Sequence, residues 1–166
     1  MTVINLCENN SILNQFIAEI RDQKIQKDSM RFRRNLERIG EICAYEISKT
    51  LEYTPAEITT PLGIAQGSTL ENNLVISTIL RAGLPLHTGL LNYFDRAQNA
   101  FVAAYRKYGK DNKFTIQVEY ASTPNLDGKT LIIPFTCWQT EQLIIVHWGA
   151  PLKAQIPLSA PQNRTG

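Results

Sequence analysis

The residues with the clearest chemical potential are an arginine, an alanine and a glycine that directly follow a predicted buried strand. The apolar run Leu74–Leu80 ends abruptly at Arg81, Ala82 and Gly83, and Pro85 then begins a predicted helix. A strand, a tight turn and a helix N-terminus bind anions in many α/β proteins, because backbone N–H groups point at the ligand. Glycine also admits a ligand that a Cβ atom would block. We therefore predict an anion site here, with the solvated end of a strand as the alternative.

A second arginine stands in a comparable position. Asn99–Tyr105 is another predicted buried strand, and Arg106 follows it directly. Together with Lys107 and Lys110, it forms a small basic cluster beside an aromatic residue. A guanidinium group suits phosphate because its planar fork binds two oxygen atoms at once. Phosphate contact by Arg106 and a merely solvated strand end both fit this pattern, so both interpretations stay open.

Hydrophobic periodicity predicts helices that cover these strands. One helix is predicted to begin near Asn10 or Ser11, and a longer one near Asp28 or Ser29, each with an apolar stripe. The segment Tyr53–Asn73 is predicted to be mostly a connection, with a short strand at Ala56–Thr60. Continuous apolar strands alternating with helices are typical of an α/β fold with a mostly parallel sheet flanked by helices. A third helix and further strands are predicted at Pro85–Phe94, Lys113–Ala121, Thr130–Ile133 and Gln142–Trp148.

The composition fits a single folded domain rather than a nucleic-acid-binding or membrane protein. The chain has 166 residues, 43% of them hydrophobic, and a net charge of +2. That charge is too small to indicate nucleic acid as a partner. Cys7, Cys43 and Cys137 are odd in number and lack metal-ligand spacing, so we expect reduced thiols in the cytoplasm. No run approaches the ~20 apolar residues of a membrane span, and we expect no signal peptide.

Two further sets of residues have both a functional and a structural interpretation. His87 lies one turn into the predicted third helix, where it could approach a ligand or pack in the core. His147 stands alone in an apolar run and is expected to be a core histidine. The basic residues of the second helix could bind an anion, or form a solvated face paired with Glu37 and Glu41. These residues are Arg31, Arg33, Arg34 and Arg38.

Several linked motifs resemble those of uracil phosphoribosyltransferases, which belong to the type I phosphoribosyltransferases. The segment Ile79–Leu84 reads Ile-Leu-Arg-Ala-Gly-Leu, and Ala104–Arg106 reads Ala-Tyr-Arg. The helix around Met30–Glu46 and the segment Asn125–Ile133 also resemble the family. The similarity runs from Ile12 to Ile133 in matching order and spacing. The resemblance implies the family's α/β fold, with a mostly parallel sheet flanked by helices, here incomplete at the C-terminal end.

The resemblance also implies a reaction. The family transfers the phosphoribosyl group of 5-phosphoribosyl diphosphate to uracil, which gives UMP and diphosphate in pyrimidine salvage. Its loop matching Leu80–Leu84 holds the diphosphate, often with a non-proline cis peptide beside the arginine. By resemblance, Arg81, Ala82, Gly83 and Arg106 would bind phosphoribosyl diphosphate, and Mg²⁺ would be bound through the substrate's diphosphate. The family relationship further implies a homodimer or a higher homo-oligomer.

The sequence departs from the family pattern after Ile133. There the family carries an acidic residue and then Pro-Met-Leu-Ala-Thr-Gly-Gly-Ser, which contact the ribose hydroxyls and wrap the 5-phosphate. This chain instead has Pro134–Thr140, which contains neither an acidic residue nor a glycine. A phosphate cradle of backbone N–H groups needs glycine-like dihedral angles. We therefore expect a phosphoribosyltransferase-like domain at 1–133 and a divergent tail at 134–166, with one strand and an irregular segment.

Two functions follow from this combination of a matching domain and a divergent tail. The first is a uracil phosphoribosyltransferase-like protein of pyrimidine salvage with reduced or no activity. The alternative is a non-catalytic regulatory module that binds a nucleotide or phosphate on the same fold. The tail itself is either a translated frameshift or truncated product, or the end of a genuine diverged protein. Without the C-terminal third of the family's domain, part of the core would lie uncovered, so we expect poor solubility or stickiness.

Overall fold

A computed structural model describes residues 4–71, 73–108, 114–137 and 142–148, and these form an α/β fold. Two longer helices come first in the chain: α1, Ile12–Arg21, and α2, Ser29–Ser48, with a short 3-10 helix at Ile25–Lys27 between them. A third helix, α3, spans Leu84–Leu91. None of the helices in the described residues is long and apolar enough to cross a membrane.

The two N-terminal helices begin where their capping residues predict. Ser11 caps α1, since its hydroxyl oxygen accepts a hydrogen bond of 3.3 Å from the backbone N–H of Leu13. Asp28 caps α2, and its carboxylate accepts bonds of 3.1 Å and 3.0 Å from the N–H groups of Met30 and Arg31. Both caps satisfy N–H groups that have no partner inside the helix. The predictions of both helix starts are confirmed.

Strand residues of the main sheet were predicted well. The sheet in the described residues has five strands, in the order β5-β4-β3-β6-β7. The strand β3 pairs in parallel with β4 and β6, whereas the edge strands β5 and β7 pair antiparallel with β4 and β6. The sheet is therefore mixed, with parallel strands only at its centre. The bounds are β3 Leu74–Leu80, β4 Gln98–Tyr108, β5 Phe114–Ser122, β6 Thr130–Cys137 and β7 Gln142–Trp148.

The region predicted to be mostly a connection is instead a β-hairpin. Strand β1, Tyr53–Thr60, pairs antiparallel with β2, Gly63–Leu70. The predicted short strand Ala56–Thr60 lies within β1, but the prediction of a connection over the rest of the region was wrong. Gly63 has a φ of 133°, which the tight connection requires and which L side chains rarely adopt. Strand β2 was missed because most of its residues are small, polar and exposed, so no apolar run marks it. Backbone pairing rather than burial defines this hairpin.

The core lies between the sheet and the helices α2 and α3. Gly89 of α3 lies so close to α2 that an added Cβ atom would overlap the carbonyl oxygen of Glu37. This close approach fixes α3, and with it the turn between β3 and α3, against α2. One buried cluster joins the sheet to both helices through Ala44, Leu74, Ile76, Leu90, Phe94, Ala97 and Ile132.

The expected boundary between residues 133 and 134 falls inside β6. This strand continues to Cys137 and pairs with β7, so that Ile133 lies opposite Val146 and Pro134 opposite Ile145. Pro134 is buried. Residues on both sides of the expected boundary thus belong to one sheet. The remainder of the tail, at 149–166, lies outside the described residues.

Candidate anion-binding site at the end of the central strand

The candidate site is the turn that connects the central strand β3 to the helix α3. A non-proline cis peptide joins Leu80 to Arg81. The N–H of Gly83 donates to the carbonyl oxygen of Ile79 at 3.3 Å, and the N–H of Leu84 donates to that of Arg81 at 3.2 Å. Pro85 occupies the first turn of α3, where a missing N–H costs nothing. The local sequence thus closes a tight turn and starts a helix within a few residues.

Gly83 is required at this turn for space and not for an unusual φ. Its φ of −77° and ψ of −10° are accessible to any residue. A Cβ atom at this position would, however, overlap the hydroxyl oxygen of Thr78 and lie 3.1 Å from the carbonyl oxygen of Ile79. Gly83 is itself buried, whereas Arg81 and Ala82 are exposed. The turn therefore rests on β3 and presents its first two residues to solvent.

Positively charged and N–H groups that have no partner among the described residues lie on this exposed part of the turn. Within the described residues, the Arg81 guanidinium makes no hydrogen bond or ion pair. The backbone N–H groups of Arg81 and Ala82 make no hydrogen bond in that part of the chain either. The N-terminus of α3 adds its partial positive charge at the same place. An anion would find a full charge, free N–H groups and a helix N-terminus together.

The sheet register places Arg106 at the same end of the sheet as this turn. Leu80 lies opposite Ala103 in the parallel pair of β3 and β4. Arg81 follows Leu80 directly, and Arg106 follows Ala103 by three residues in the chain. The strand β4 continues past this point, where the backbone of Arg106 pairs with Ile116 of β5. The prediction that Arg106 directly follows the end of its strand was therefore wrong, because β4 continues to Tyr108 and contains Arg106. The binding roles of Arg81 and Arg106 stay predictions, and Lys110 lies outside the described residues.

The structure favours the packing interpretation of His87. Its side chain is 4% exposed, and its ring lies 5.2 Å from the ring of Phe101, centroid to centroid, at an angle of 49°. Burial lowers the pKa of His87, and polar groups of Ile76 and Asn99 partly oppose that effect. His87 is therefore a neutral part of the layer between α3 and the sheet. The side chains of His147 and Cys137 lie outside the described part of the structure.

The arginines of α2 mainly support the solvated-face interpretation. Arg34 pairs with Glu37 at 2.6 Å and reaches Glu41 at 3.8 Å, while Arg31 pairs with Glu19 at 3.3 Å. Arg38 donates to the side-chain oxygen of Asn35 at 3.1 Å. Arg33 alone of the four makes no hydrogen bond or ion pair within the described residues. It lines an open groove of about 400 Å³ between α2 and α3.

A polar contact between α1 and α2 was not foreseen from the sequence. The side-chain amide of Asn35, which is fully buried, donates to the Glu19 carboxylate at 2.7 Å. Gln15 donates to the same carboxylate at 3.0 Å, and Arg31 at 3.3 Å. These hydrogen bonds, that of Asn35 above all, lower the pKa of Glu19 from 4.5 to about 2. An asparagine inside an amphipathic helix gives no sequence signal of such a role.

The described residues offer little for direct metal binding or for thiol chemistry. No group of three or more His, Cys, Asp or Glu side chains that could hold a metal ion occurs among the residues that the structure covers. Cys43 is buried in the packing between α1 and α2, and burial raises its pKa to about 12. A thiol with so high a pKa is a poor nucleophile. Among the described residues, the positive groups of the turn are therefore the strongest candidates for binding a ligand.

Comparison with known proteins decides the family. A model of the uracil phosphoribosyltransferase family matches residues 7–132, which include both α-helices of the N-terminal part and the Arg81 turn. The chain belongs to the uracil phosphoribosyltransferase family. This confirms the resemblance predicted from the motifs around Arg81 and Arg106. The match ends at residue 132, just before the segment in which the family's phosphate loop is absent from the sequence.

Individual relatives in the family agree with this assignment. A uracil phosphoribosyltransferase from Porphyromonas gingivalis is 53% identical over 133 residues, which cover 80% of this chain and 62% of that protein. Proteins of the same name from Pyrococcus furiosus and Methanococcus vannielii are 33% and 36% identical, each over 76% of this chain and 53% and 54% of their own length. The chain thus spans less than two thirds of the length of these relatives.

A solved structure supports the fold of this family member independently. The AQ2163 protein from Aquifex aeolicus superposes with a TM-score of 0.65 and 24% identity. The match covers 75% of this chain and 58% of the other. At that identity the likeness bears on the fold alone, and it agrees with the α/β architecture described above.

Proposed function

We propose that this chain is a uracil phosphoribosyltransferase-like protein of pyrimidine salvage, which binds 5-phosphoribosyl diphosphate at the Arg81 turn. The proposal is carried by the Arg81 guanidinium and the backbone N–H groups of Arg81 and Ala82 at the end of β3, none of which has a partner in the part of the chain that the structure describes. Arg106, at the same end of the sheet, would contact the same donor. Uracil would be the acceptor, and UMP and diphosphate the products.

The geometry of the turn suits the departure of diphosphate. Transfer at the anomeric carbon passes through an oxocarbenium-like state while negative charge builds up on the leaving group. Arg81 and the turn's N–H groups would stabilise that charge without having to rearrange, which is the usual source of catalytic electrostatic stabilisation. Gly83 keeps the turn close to β3, so these groups are positioned by the rigid centre of the sheet.

Magnesium would enter this site with the donor. Mg²⁺ prefers oxygen ligands and commonly binds through substrate phosphates with only one or two protein carboxylates. No cluster of acidic side chains is present in the described ranges, which fits a metal held by the diphosphate oxygens. When bound, the ion would neutralise part of the leaving group's charge.

We expect reduced or no turnover in this chain. The sequence after Ile133 has neither the acidic residue nor the glycines with which the family holds the ribose and its 5-phosphate. The experiment measures UMP formation from uracil and donor, and donor binding by calorimetry, on the same sample. Donor binding with slow or no UMP formation supports the proposal. Absence of donor binding contradicts it, and turnover as fast as that of the Porphyromonas gingivalis relative contradicts the expected loss of activity.

The same observations support a second candidate, a non-catalytic module that binds a nucleotide or phosphate and acts in regulation. An intact anion-binding turn combined with a divergent sequence after Ile133 favours binding without transfer. Calorimetry with UMP and with inorganic diphosphate tests this candidate. Binding of UMP by a sample that forms no UMP favours the module over the damaged enzyme.

The origin of the divergent tail is a separate question with a direct test. A shift of reading frame would explain why the family pattern stops abruptly beside Ile133. The coding DNA beyond that codon should then encode an acidic residue followed by Pro, Leu, Ala, Thr and Gly in another frame. If neither alternative frame does so, the frameshift explanation is wrong. For either origin we propose a cytoplasmic homo-oligomer with small-molecule partners and no nucleic acid.

A further inference from the structure

The central strand carries a buried hydroxyl directly beneath the candidate site. Thr78 of β3 is fully buried, and it precedes Arg81 by three residues. In the sheet register it lies opposite Phe101 of β4, the residue on which the His87 ring packs. Thr78 therefore belongs to the layer between the sheet and α3, on which the turn rests.

The hydroxyl group of Thr78 has no hydrogen-bond partner among the described residues. The Nε2 atom of His87 also lacks a hydrogen-bond partner. These two are the buried side-chain nitrogen and oxygen atoms without a partner in the described residues. A buried polar atom without a partner costs stability, and most such atoms in proteins are satisfied. Two of them in one layer beneath the turn need a physical explanation. Exceptions of this kind concentrate at functional sites.

The Thr78 hydroxyl oxygen is also the atom that leaves no room for a side chain at Gly83. A Cβ atom built on Gly83 would overlap it. The hydroxyl oxygen and the Gly83 backbone are thus in direct contact, and the turn cannot move closer to the sheet. This contact sets the position of Gly83, which directly follows Arg81 and Ala82, the two residues of the turn whose backbone N–H groups make no hydrogen bond among the described residues.

We infer that Thr78 is a positioning residue of the diphosphate turn: its hydroxyl supports Gly83 and thereby keeps the N–H groups of Arg81 and Ala82 available to the ligand. This inference rests on the proposed function, because it concerns the same turn. It assigns a role to a buried residue outside the Arg-Ala-Gly motif. An oxygen atom suits the position because a methyl group is larger and would push the Gly83 backbone away.

The test separates support of the turn from a contribution to folding. Thr78→Val replaces the hydroxyl with a larger methyl group. Removal of an unsatisfied polar atom favours folding and the new contact with Gly83 opposes it, so we expect only a small change in Tm. We expect its affinity for inorganic pyrophosphate, measured by calorimetry, to fall about tenfold, which corresponds to the net effect of one hydrogen-bond-sized interaction. Thr78→Ser retains the oxygen and should restore most of the affinity. Ser77→Ala is the matched control, since the neighbouring residue of a strand faces the other side of the sheet.

Each outcome decides the inference. Weak binding by Thr78→Val with near-normal binding by Thr78→Ser and Ser77→Ala supports it. Equal pyrophosphate affinity of Thr78→Val and the wild-type chain overturns it and leaves the proposed function intact. Failure of the wild-type chain itself to bind pyrophosphate overturns both. If Thr78→Val does not fold, Thr78→Ala and Thr78→Ser are compared, and equal affinity of these two variants overturns the inference.

Discussion

At the scale of single residues, Arg81 carries the clearest prediction. Arg81→Ala should weaken pyrophosphate binding roughly 10- to 100-fold, because hydrogen bonds to charged groups contribute about 1.5–3 kcal/mol. The pyrophosphate affinity of Arg81→Lys should lie between those of the wild-type chain and Arg81→Ala, since an ammonium group keeps the charge but loses the planar fork. Isothermal titration calorimetry at fixed ionic strength measures the effect. Arg96→Ala is the matched control, because Arg96 is exposed and precedes β4 at the other end of the parallel strands. Equal losses in both variants would contradict a specific site.

Gly83 provides a second residue-scale prediction. Gly83→Ala should lower stability by about 1–3 kcal/mol, the usual cost of overpacking, because the new methyl group meets the Thr78 oxygen and the Ile79 carbonyl. Thermal unfolding followed by circular dichroism measures the change. The control is Ala82→Gly, next to it in the exposed part of the turn, which should cost less. A Gly83→Ala variant as stable as the wild-type chain would show that the turn can move away from β3.

Arg81, Gly83 and Arg106 were predicted as site residues from their chemistry and from the apolar runs that precede them in the sequence, and their binding roles stay predictions. The role of Thr78 was not visible in the same way. A threonine in a β-branched run looks like any other strand residue, and only the folded turn shows which atom lies beneath Gly83. The burial of His87 and of Asn35 likewise depends on neighbours that are distant in sequence.

At the scale of the helices, the contact between α1 and α2 makes stability depend on pH. The pKa of Glu19 is about 2 in the folded chain and 4.5 without these contacts, chiefly because Asn35 donates to its carboxylate. A lowered pKa means that the unfolded chain binds the proton more readily. The stabilisation is therefore complete above pH 4.5 and is lost as the pH falls from 4.5 towards 2.

Unfolding experiments on Glu19→Gln test this linkage. The wild-type Tm should fall more steeply than that of the variant between pH 4.5 and pH 2, because the variant has no carboxylate to protonate. Glu8→Gln is the control, since Glu8 is exposed and its side chain makes no hydrogen bond within the described residues. Parallel pH profiles for wild type and Glu19→Gln would show that the contact between α1 and α2 contributes nothing through Glu19.

Elements differed in how well the sequence predicted them, for a physical reason. The helices α1 and α2 and the strand β3 bury one face or both, so their apolar spacing marks them. The hairpin of β1 and β2 buries little, and its residues are mostly small or polar, so no spacing could reveal it. The edge strand β5 was predicted because Ile116, Val118 and Tyr120 alternate with polar residues. That alternation predicts a single apolar face, which was wrong, because the register shift beside Ala104 places Tyr120 on the face opposite Ile116 and Val118. The alternation also did not show that Ile116 and Val118 are exposed.

At the scale of the whole molecule, that exposed face of β5 bears on solubility. Ile116 is 70% exposed and Val118 52%, and both lie on one face of an edge strand. Tyr120, which is 57% exposed, lies on the other face because the register shifts between Ala103 and Ala104 of β4. Adjacent exposed apolar side chains on a sheet edge promote association between molecules. We therefore expect the chain to self-associate through this face at high concentration. The uncovered core that the sequence analysis predicts would favour association between molecules, and so would this exposed face.

A double variant tests this surface. Ile116→Thr with Val118→Thr keeps β-branched residues in the strand, so it should preserve folding while it removes apolar area. Light scattering after size-exclusion chromatography should show less association for the double variant than for the wild-type chain at equal concentration. Gln117→Thr is the control, because residue 117 lies on the opposite face of the same strand. If the double variant associates as strongly as the wild-type chain, another surface holds the molecules together.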